Sequence, residues 1–152
     1  MRIRVESRVR ATLIDAPAVR RAAAYVLRRE RRPEGCELGV LFAGERLMRS
    51  LNRRYRGVDR GTDVLAFPLE GAGLRGRPRL IGDVVISPRR AQAFARAAGT
   101  SSGKELLLYL VHGILHLCGY DDETAGARKR MERRQRVLVE EIVRKGLWSA
   151  TG

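Results

Sequence analysis

Residues 101–119 read SSGKELLLYLVHGILHLCG and predict a buried helix. The segment is apolar nearly all round, which is typical of a helix that is covered on every side. Ser102 and Glu105 have the spacing of an N-terminal capping box, and Gly119 suits the position just past a helix C-terminus. We therefore expect a helix that begins near Ser102 and ends at Gly119.

On either side of this helix, the chain alternates between strand and helix patterns. Strands are predicted at 2–6, 36–44, 63–68 and 80–87, and further helices at 17–30, 45–55, 88–99 and about 124–145. The glycine- and arginine-rich residues 70–79 predict a flexible loop rather than a domain linker. This order predicts an α/β (α+β) fold with a small mixed β-sheet of about four strands packed with about five helices. We expect residues 1–152 to form one domain.

The chain carries 31 Lys and Arg against 17 Asp and Glu, a formal net charge of +14. Such a surplus favours nucleic acid or an anionic membrane surface as a partner. Coding-base bias can explain why arginine replaces lysine, but it does not explain the excess of bases over acids. No stretch approaches the about 20 apolar residues of a membrane span, and the N-terminus lacks a signal-peptide pattern. We expect a cytoplasmic protein that contacts nucleic acid, with no membrane partner.

The two histidines of the chain, His112 and His116, lie four residues apart in the buried segment. Residues i and i+4 share a helix face, so both imidazoles can face one ion. The turn at Gly119 brings Asp121 or Asp122 back toward the pair as a third ligand. Two imidazoles and a carboxylate, with water in the fourth position, form the donor set of catalytic zinc. Satisfied core histidines are the alternative, and the coincidence of spacing, turn and acids favours a metal site at the end of the helix.

The spacing H-x-x-x-H-x-x-G-x-x-D is also that of the metzincin peptidases, with aspartate as the third ligand. In those enzymes a glutamate follows the first histidine and serves as the general base. Here that position is Gly113, which can neither accept nor deliver a proton. The pattern therefore predicts metal coordination without this mechanism of peptide hydrolysis.

The stretch HGILHLCGYDD, residues 112–122, closely resembles the signature H-G-x-L-H-L-x-G-Y-D-H of the YbeY family, bacterial metal-dependent endoribonucleases of ribosomal RNA maturation. Upstream, LNRRYRGVDRGTDVLAFP resembles a helix, turn and strand of the family, and LIGDVVIS resembles its following strand. The likeness covers about residues 40–125. It implies a metal-dependent endoribonuclease that is specific for single-stranded RNA. It further implies a role in 16S ribosomal RNA 3′-end maturation and ribosome biogenesis, with the ribosome or its small subunit as a partner.

The resemblance also implies which residues bind the metal. His112 and His116 match the first two family ligands, and Asp122 stands where the family has its third, a histidine. Asp121 matches the aspartate of the signature itself, so Asp122 is the expected third ligand. A carboxylate in place of imidazole makes bound water less acidic and shifts metal preference toward harder ions. The expected cofactor is one Zn²⁺, with another divalent metal as the alternative.

Arg56 matches an arginine associated with the active-site cleft of the family. The resemblance implies a catalytic and substrate-binding role, in which the guanidinium grips a phosphate or stabilises charge that develops on it. Arg89, Arg90 and Arg96, and the basic run 128–136, are predicted either to contact RNA or to form solvated helix faces.

Two other functions stay open at this point. The first is a metal-dependent hydrolase of another substrate, such as a peptide, which Gly113 and the positive charge both disfavour. The second is a ribosome-associated RNA-binding protein without catalysis, in which the metal is structural. Asp122 in place of a histidine keeps this second alternative open. The sequence identifies no protein partner.

Overall fold

The order of strands and helices agrees with the sequence prediction. The computed structural model describes residues 1–10, 14–69 and 80–148. Its elements are β1 (Arg2–Ser7), α1 (Ala16–Arg29), β2 (Glu37–Phe42), α2 (Glu45–Arg56), β3 (Val64–Pro68), β4 (Leu80–Ile86), α3 (Pro88–Ala98), α4 (Ser102–Leu117) and α5 (Ala125–Arg144). These four strands and five helices, counted over the described residues, confirm the predicted α/β fold class. The predicted loop at 70–79 lies outside the described residues.

The strands form one mixed sheet in which β3 lies at an edge. The strand order is β1-β2-β4-β3, with β1, β2 and β4 parallel and β3 antiparallel to β4. Within the described ranges, β3 therefore pairs with a neighbour on one side only. The unpaired side of an edge strand presents backbone groups to whatever lies beside it.

The helix predicted from residues 101–119 packs on one face of this sheet as α4. Leu106, Leu107, Val111 and Ile114 are fully buried, in a core that also includes Val84 of β4. Besides the sheet, α4 contacts α1, α3 and α5. None of the helices within the described ranges is both long and apolar enough to cross a membrane.

The opposite face of the sheet is partly covered by α2. Met48 is fully buried with Leu65 of β3 and Val85 of β4, and Leu51 and Phe67 pack against this cluster. The rest of α2 is rich in arginine, which stays on the solvent side as the amphipathic pattern requires. Because α2 and α4 lie on opposite faces, the edge strand β3 runs between them.

Helix α4 begins at Ser102 as predicted, but the residue that caps it is different. Ser101 is the N-cap, and its side chain accepts a hydrogen bond from the Lys104 backbone N–H at 3.2 Å. A capping box needs Glu or Gln three residues after the cap, a position that Lys104 occupies, so the predicted Ser102–Glu105 box is wrong. Glu105 belongs to the first turn of the helix and makes no capping interaction. Its surface is 8% exposed, and burial raises the pKa of its carboxyl.

Gly113 lies where α4 crosses the sheet. A Cβ atom at this position would be 2.5 Å from Val84 Cγ1 and 3.2 Å from Val64 Cγ2. Carbon atoms attract optimally at about 3.5–4.0 Å, so a side chain here would push α4 away from β3 and β4. A glutamate of the peptidase type has no room at this position.

We expect the substitution Gly113→Ala to lower the free energy of unfolding by about 1–3 kcal/mol, the usual range for overpacking a core. Its matched control is Gly126→Ala in the first turn of α5. There the nearest atom to the added Cβ is Arg130 Nη1 at 3.6 Å, and alanine favours the helix. Urea unfolding of both variants makes the comparison. Equal stability of Gly113→Ala and the parent would contradict the close packing.

A polar cluster attaches α5 to α1. The Glu141 carboxylate accepts hydrogen bonds from Arg29 Nε at 3.0 Å and from Tyr25 Oη at 2.7 Å. The Arg29 hydrogen bond and then that of Tyr25 lower the pKa of Glu141 from 4.5 to about 2. A depressed carboxyl pKa stabilises the folded state above about pH 4.5, and this stabilisation is lost as the pH falls toward 2.

We accordingly expect Glu141→Gln to be less stable than the parent by about 1 kcal/mol at pH 7. Below pH 4 the difference should shrink, because the carboxyl of the unfolded parent becomes neutral there, while that of the folded parent stays charged until the pH approaches about 2. Urea unfolding of the parent and the variant, at pH 7 and again below pH 4, measures the difference in the free energy of unfolding. A gap that stayed constant with pH would show that the charge of Glu141 contributes nothing.

Candidate active site

An open cleft of about 1250 Å³ runs along the edge strand β3. His112 and His116 of α4 line it, as do Tyr55 and Arg56 of α2 and residues 119–122 of the loop after α4. All four residues predicted as site residues, including Asp122, therefore border one cavity. The cleft lies between α2 and α4 because these two helices pack on opposite faces of the sheet.

The two histidine rings lie against each other. Their centroids are 4.7 Å apart, and their planes meet at 80°. Burial and then the neighbouring His112 lower the pKa of His116, against the charge of Asp122, which raises it. Arg56 also lowers this pKa through its positive charge. A neutral imidazole is the form that ligates metal ions, so the surroundings of His116 favour that form.

A residue that the sequence analysis missed orients His112. The Nδ1 atom of His112 lies 2.9 Å from Oε1 of Gln135 on α5. With the amide oxygen as the acceptor, this contact selects the tautomer in which Nδ1 carries the proton and Nε2 keeps its lone pair. In sequence, the only signal was that Gln135 is a polar residue within the apolar stripe formed by Met131 and Leu138.

The loop after α4 distinguishes the two aspartates. Gly119 has a φ of +102°, which turns the backbone sharply past the helix end. Asp121 Oδ1 accepts a hydrogen bond from the Glu123 backbone N–H at 3.1 Å and so shapes the loop. Both aspartates are exposed and border the cleft, so this hydrogen bond is what separates them. Across the ranges that the structure describes, no three His, Cys, Asp or Glu side chains are grouped closely enough to hold a metal. The histidines are thus paired, whereas Asp122 lines the same cleft without completing a three-ligand group.

Arg56 is the last residue of α2 and ends in the cleft. Gly57 follows with a φ of +69° and terminates the helix. The Arg56 side chain is exposed, and in the described part of the chain it has no hydrogen bond or ion pair. Arg49 of the same helix, by contrast, is paired with Asp59 at 2.9 Å. The Arg56 guanidinium is therefore available to bind an anion.

The other basic residues from the sequence analysis lie outside the lining of the cleft. Arg90 is paired with Glu45 at 3.2 Å, and Arg89 and Arg96 are exposed on α3. In the basic run 128–136, Arg134 is held by Glu30 at 2.7 Å, and the remaining basic residues are exposed. Arg56 therefore lines the cleft, whereas these other basic residues do not.

Known proteins resemble this chain over most of its length. The sequence model of the family described as Endoribonuclease YbeY matches residues 6–143. An Endoribonuclease YbeY from Chloroflexus aurantiacus is 43% identical over 134 residues, which are 85% of this chain and 85% of the relative. Another from Geobacter metallireducens is 35% identical over 150 residues, covering 97% of this chain and 99% of the relative. A Thermotoga maritima protein with a solution structure matches with a TM-score of 0.63 and 28% identity, over 92% of this chain and 88% of that chain.

Proposed function

The chain belongs to the YbeY family of endoribonucleases, and from this premise we propose that it cleaves single-stranded RNA internally in a metal-dependent reaction. The proposed substrate is ribosomal RNA, at the 3′ end of 16S RNA during ribosome biogenesis in the cytoplasm. The ribosome or its small subunit is the proposed partner. One observation carries the proposal: the His112–His116 pair and the unpaired Arg56 guanidinium line the same open cleft.

The donor types in the cleft, two imidazoles and a carboxylate, suit a divalent metal such as Zn²⁺, although within the described ranges they do not form a three-ligand group. His112 and His116 would bind it through neutral imidazoles, and the hydrogen bond that His112 Nδ1 donates to Gln135 Oε1 fixes the tautomer of His112. Asp122 would supply the third ligand from the loop after α4, because its carboxylate makes no hydrogen bond within the described residues, whereas Oδ1 of Asp121 accepts one in that loop. A bound metal supplies Lewis-acid activation of water or of a phosphate oxygen. With a carboxylate as third ligand, a harder divalent ion is the alternative to zinc.

Arg56 has the chemistry to hold the scissile phosphate. Its planar guanidinium can donate two parallel hydrogen bonds to phosphate oxygens. A positive group at this place also stabilises the charge that develops on the phosphate during cleavage. The net charge of +14 favours the approach of an RNA strand to the protein as a whole.

Peptide hydrolysis is the weaker alternative. The position of the peptidase base is Gly113, and packing against Val84 and Val64 leaves no space for a glutamate there. A general base must reach the reacting water or substrate, and glycine offers no group to do so. The other alternative is an RNA-binding protein without catalysis. The cleavage experiment described next distinguishes it from an endoribonuclease.

The test compares metal-stripped protein with protein to which Zn²⁺ or another divalent ion is restored. The substrates are a labelled single-stranded RNA and the same RNA annealed to its complement. We expect cleavage only with metal and only of the single strand. RNA binding with a steep salt dependence, but without cleavage under any metal, would instead identify a binding protein. Cleavage of casein and not of RNA would identify a peptidase.

For Gln135→Ala, we expect metal affinity to fall by about 10- to 100-fold, the usual cost of losing a group that orients a ligand. The variant Gln135→Glu keeps an acceptor for His112 Nδ1 and should retain tight binding. Competition for Zn²⁺ with a coloured chelator measures both affinities, independently of RNA cleavage. If Gln135→Ala binds zinc as tightly as the parent, the hydrogen bond to His112 has no such role.

A further inference from the structure

An exposed aromatic residue stands next to Arg56. Tyr55 is 61% exposed although it belongs to the last turn of α2 and borders the cleft. Its ring meets that of Phe67 on β3, with centroids 5.0 Å apart and planes at 62°. Large aromatic side chains are usually covered, so an exposed ring in a cleft is a feature to explain.

The contact with Phe67 restrains the Tyr55 ring. Phe67 packs against the buried cluster that includes Leu65 of β3 and Met48 of α2, so it is itself anchored. An edge-to-face aromatic pair contributes beyond simple area burial. Tyr55 is thus held in place by one neighbour, while most of its surface remains exposed and part of it lines the cleft. A restrained ring loses little conformational entropy when a ligand binds to it.

The surroundings of Tyr55 are positively charged. Arg53, Arg54 and Arg56 lie within the same turn, and all three are exposed without an ion pair among the described residues. An open aromatic ring beside free guanidinium groups suits a single nucleic-acid strand, because the ring stacks on a base while the cation binds the backbone. Bases inside a duplex are already stacked on each other and do not offer this surface.

We propose that Tyr55, supported by Phe67, is a stacking platform for one unpaired RNA base next to the phosphate bound by Arg56. This inference rests on the proposed RNA-cleaving function and adds a base-binding subsite to it. The platform belongs to α2 and β3, whereas the histidines belong to α4. The stacked base therefore lies to the α2 side of the cleft, beside the histidine pair and not over it. Every base has a flat aromatic face, so the subsite accepts all four bases.

The first test measures binding of a fluorescein-labelled single-stranded RNA in a chelator, where no metal-dependent cleavage occurs. We expect Tyr55→Ala to weaken binding about tenfold, in the range for one lost stacking contact. The variant Tyr55→Phe keeps the ring and should bind like the parent. Phe94→Ala is the matched control, since Phe94 is 54% exposed on α3 and lies outside the lining of the cleft. Thermal unfolding checks that each variant is folded.

The second test needs only the parent protein and so does not depend on the folding of a variant. An abasic residue is moved through the RNA one position at a time, and we expect one position to lose about tenfold in affinity. In Tyr55→Ala the same position should no longer matter. The platform is refuted if no position is sensitive, if Tyr55→Ala binds like the parent, or if Tyr55→Phe is as weak as Tyr55→Ala. A parent that fails to bind single-stranded RNA at all would instead refute the proposed function.

Discussion

Replacing His116 by alanine is expected to abolish RNA cleavage, with a loss in kcat/KM on the order of a thousandfold or more. The reason is that His116 and His112 are the paired imidazoles of the cleft, and one alone cannot hold a metal with a single carboxylate. Metal content of the purified variant and cleavage of a single-stranded RNA should fall together. A His116→Ala protein that still cuts RNA at the parent rate would point to a contaminating nuclease.

The two aspartates provide a matched comparison for this result. Asp122→Asn removes the charge of the proposed third ligand, so we expect it to lose most metal binding. Asp121→Asn keeps the oxygen that accepts the Glu123 N–H, so we expect it to retain the metal. The reverse outcome would exchange the roles of the two residues. The variant Asp122→His restores the histidine of the family signature and should bind zinc at least as tightly as the parent.

Arg56→Ala is expected to lower kcat/KM by about 100- to 1000-fold, the usual cost of removing a group that stabilises developing charge. Metal content should not change, which separates this effect from that of His116→Ala. Arg56→Lys should recover only part of the activity, because lysine cannot donate two parallel hydrogen bonds to a phosphate.

Arg54→Ala is the matched control for this substitution. Arg54 is an exposed arginine in the same helix turn, with the same charge, and it lies outside the lining of the cleft. Single-turnover cleavage, with protein in excess of RNA but below saturation, compares kcat/KM of the two variants. If Arg54→Ala and Arg56→Ala reduce the rate equally, the positive charge of α2 matters as a whole and Arg56 has no special role.

Much of the fold could be predicted from the sequence because its signals are local. Apolar spacing identified α4 as a buried helix and predicted each strand of the sheet, and turn residues marked their ends. The predicted capping box at Ser102 was wrong because Ser101 and Ser102 are adjacent. Spacing alone does not say which of the two serines adopts the extended backbone of a cap. Resemblance to the YbeY family was confirmed over residues 6–143.

The candidate site was only partly predictable. The spacing of His112 and His116 indicated a shared face, and the structure pairs them there. Gln135 was not found, because its role depends on α5 packing beside α4, 23 residues away along the chain. From the sequence, Gly113 indicated only that the general base of the peptidases is absent. Its packing against Val84 and Val64 gives a second, steric reason for glycine at that position.

The sequence by itself determined the helices and strands, the histidine spacing and the excess of positive charge. These properties depend on neighbours in the chain and on composition, and so they can be read without coordinates. The family resemblance already implied that Arg56 belongs to the cleft. Only the tertiary structure decided that Tyr55 of α2 shares it with the histidines of α4, and that Gln135 orients His112. Such contacts arise from the way distant elements pack around the edge of the sheet, which local periodicity does not specify.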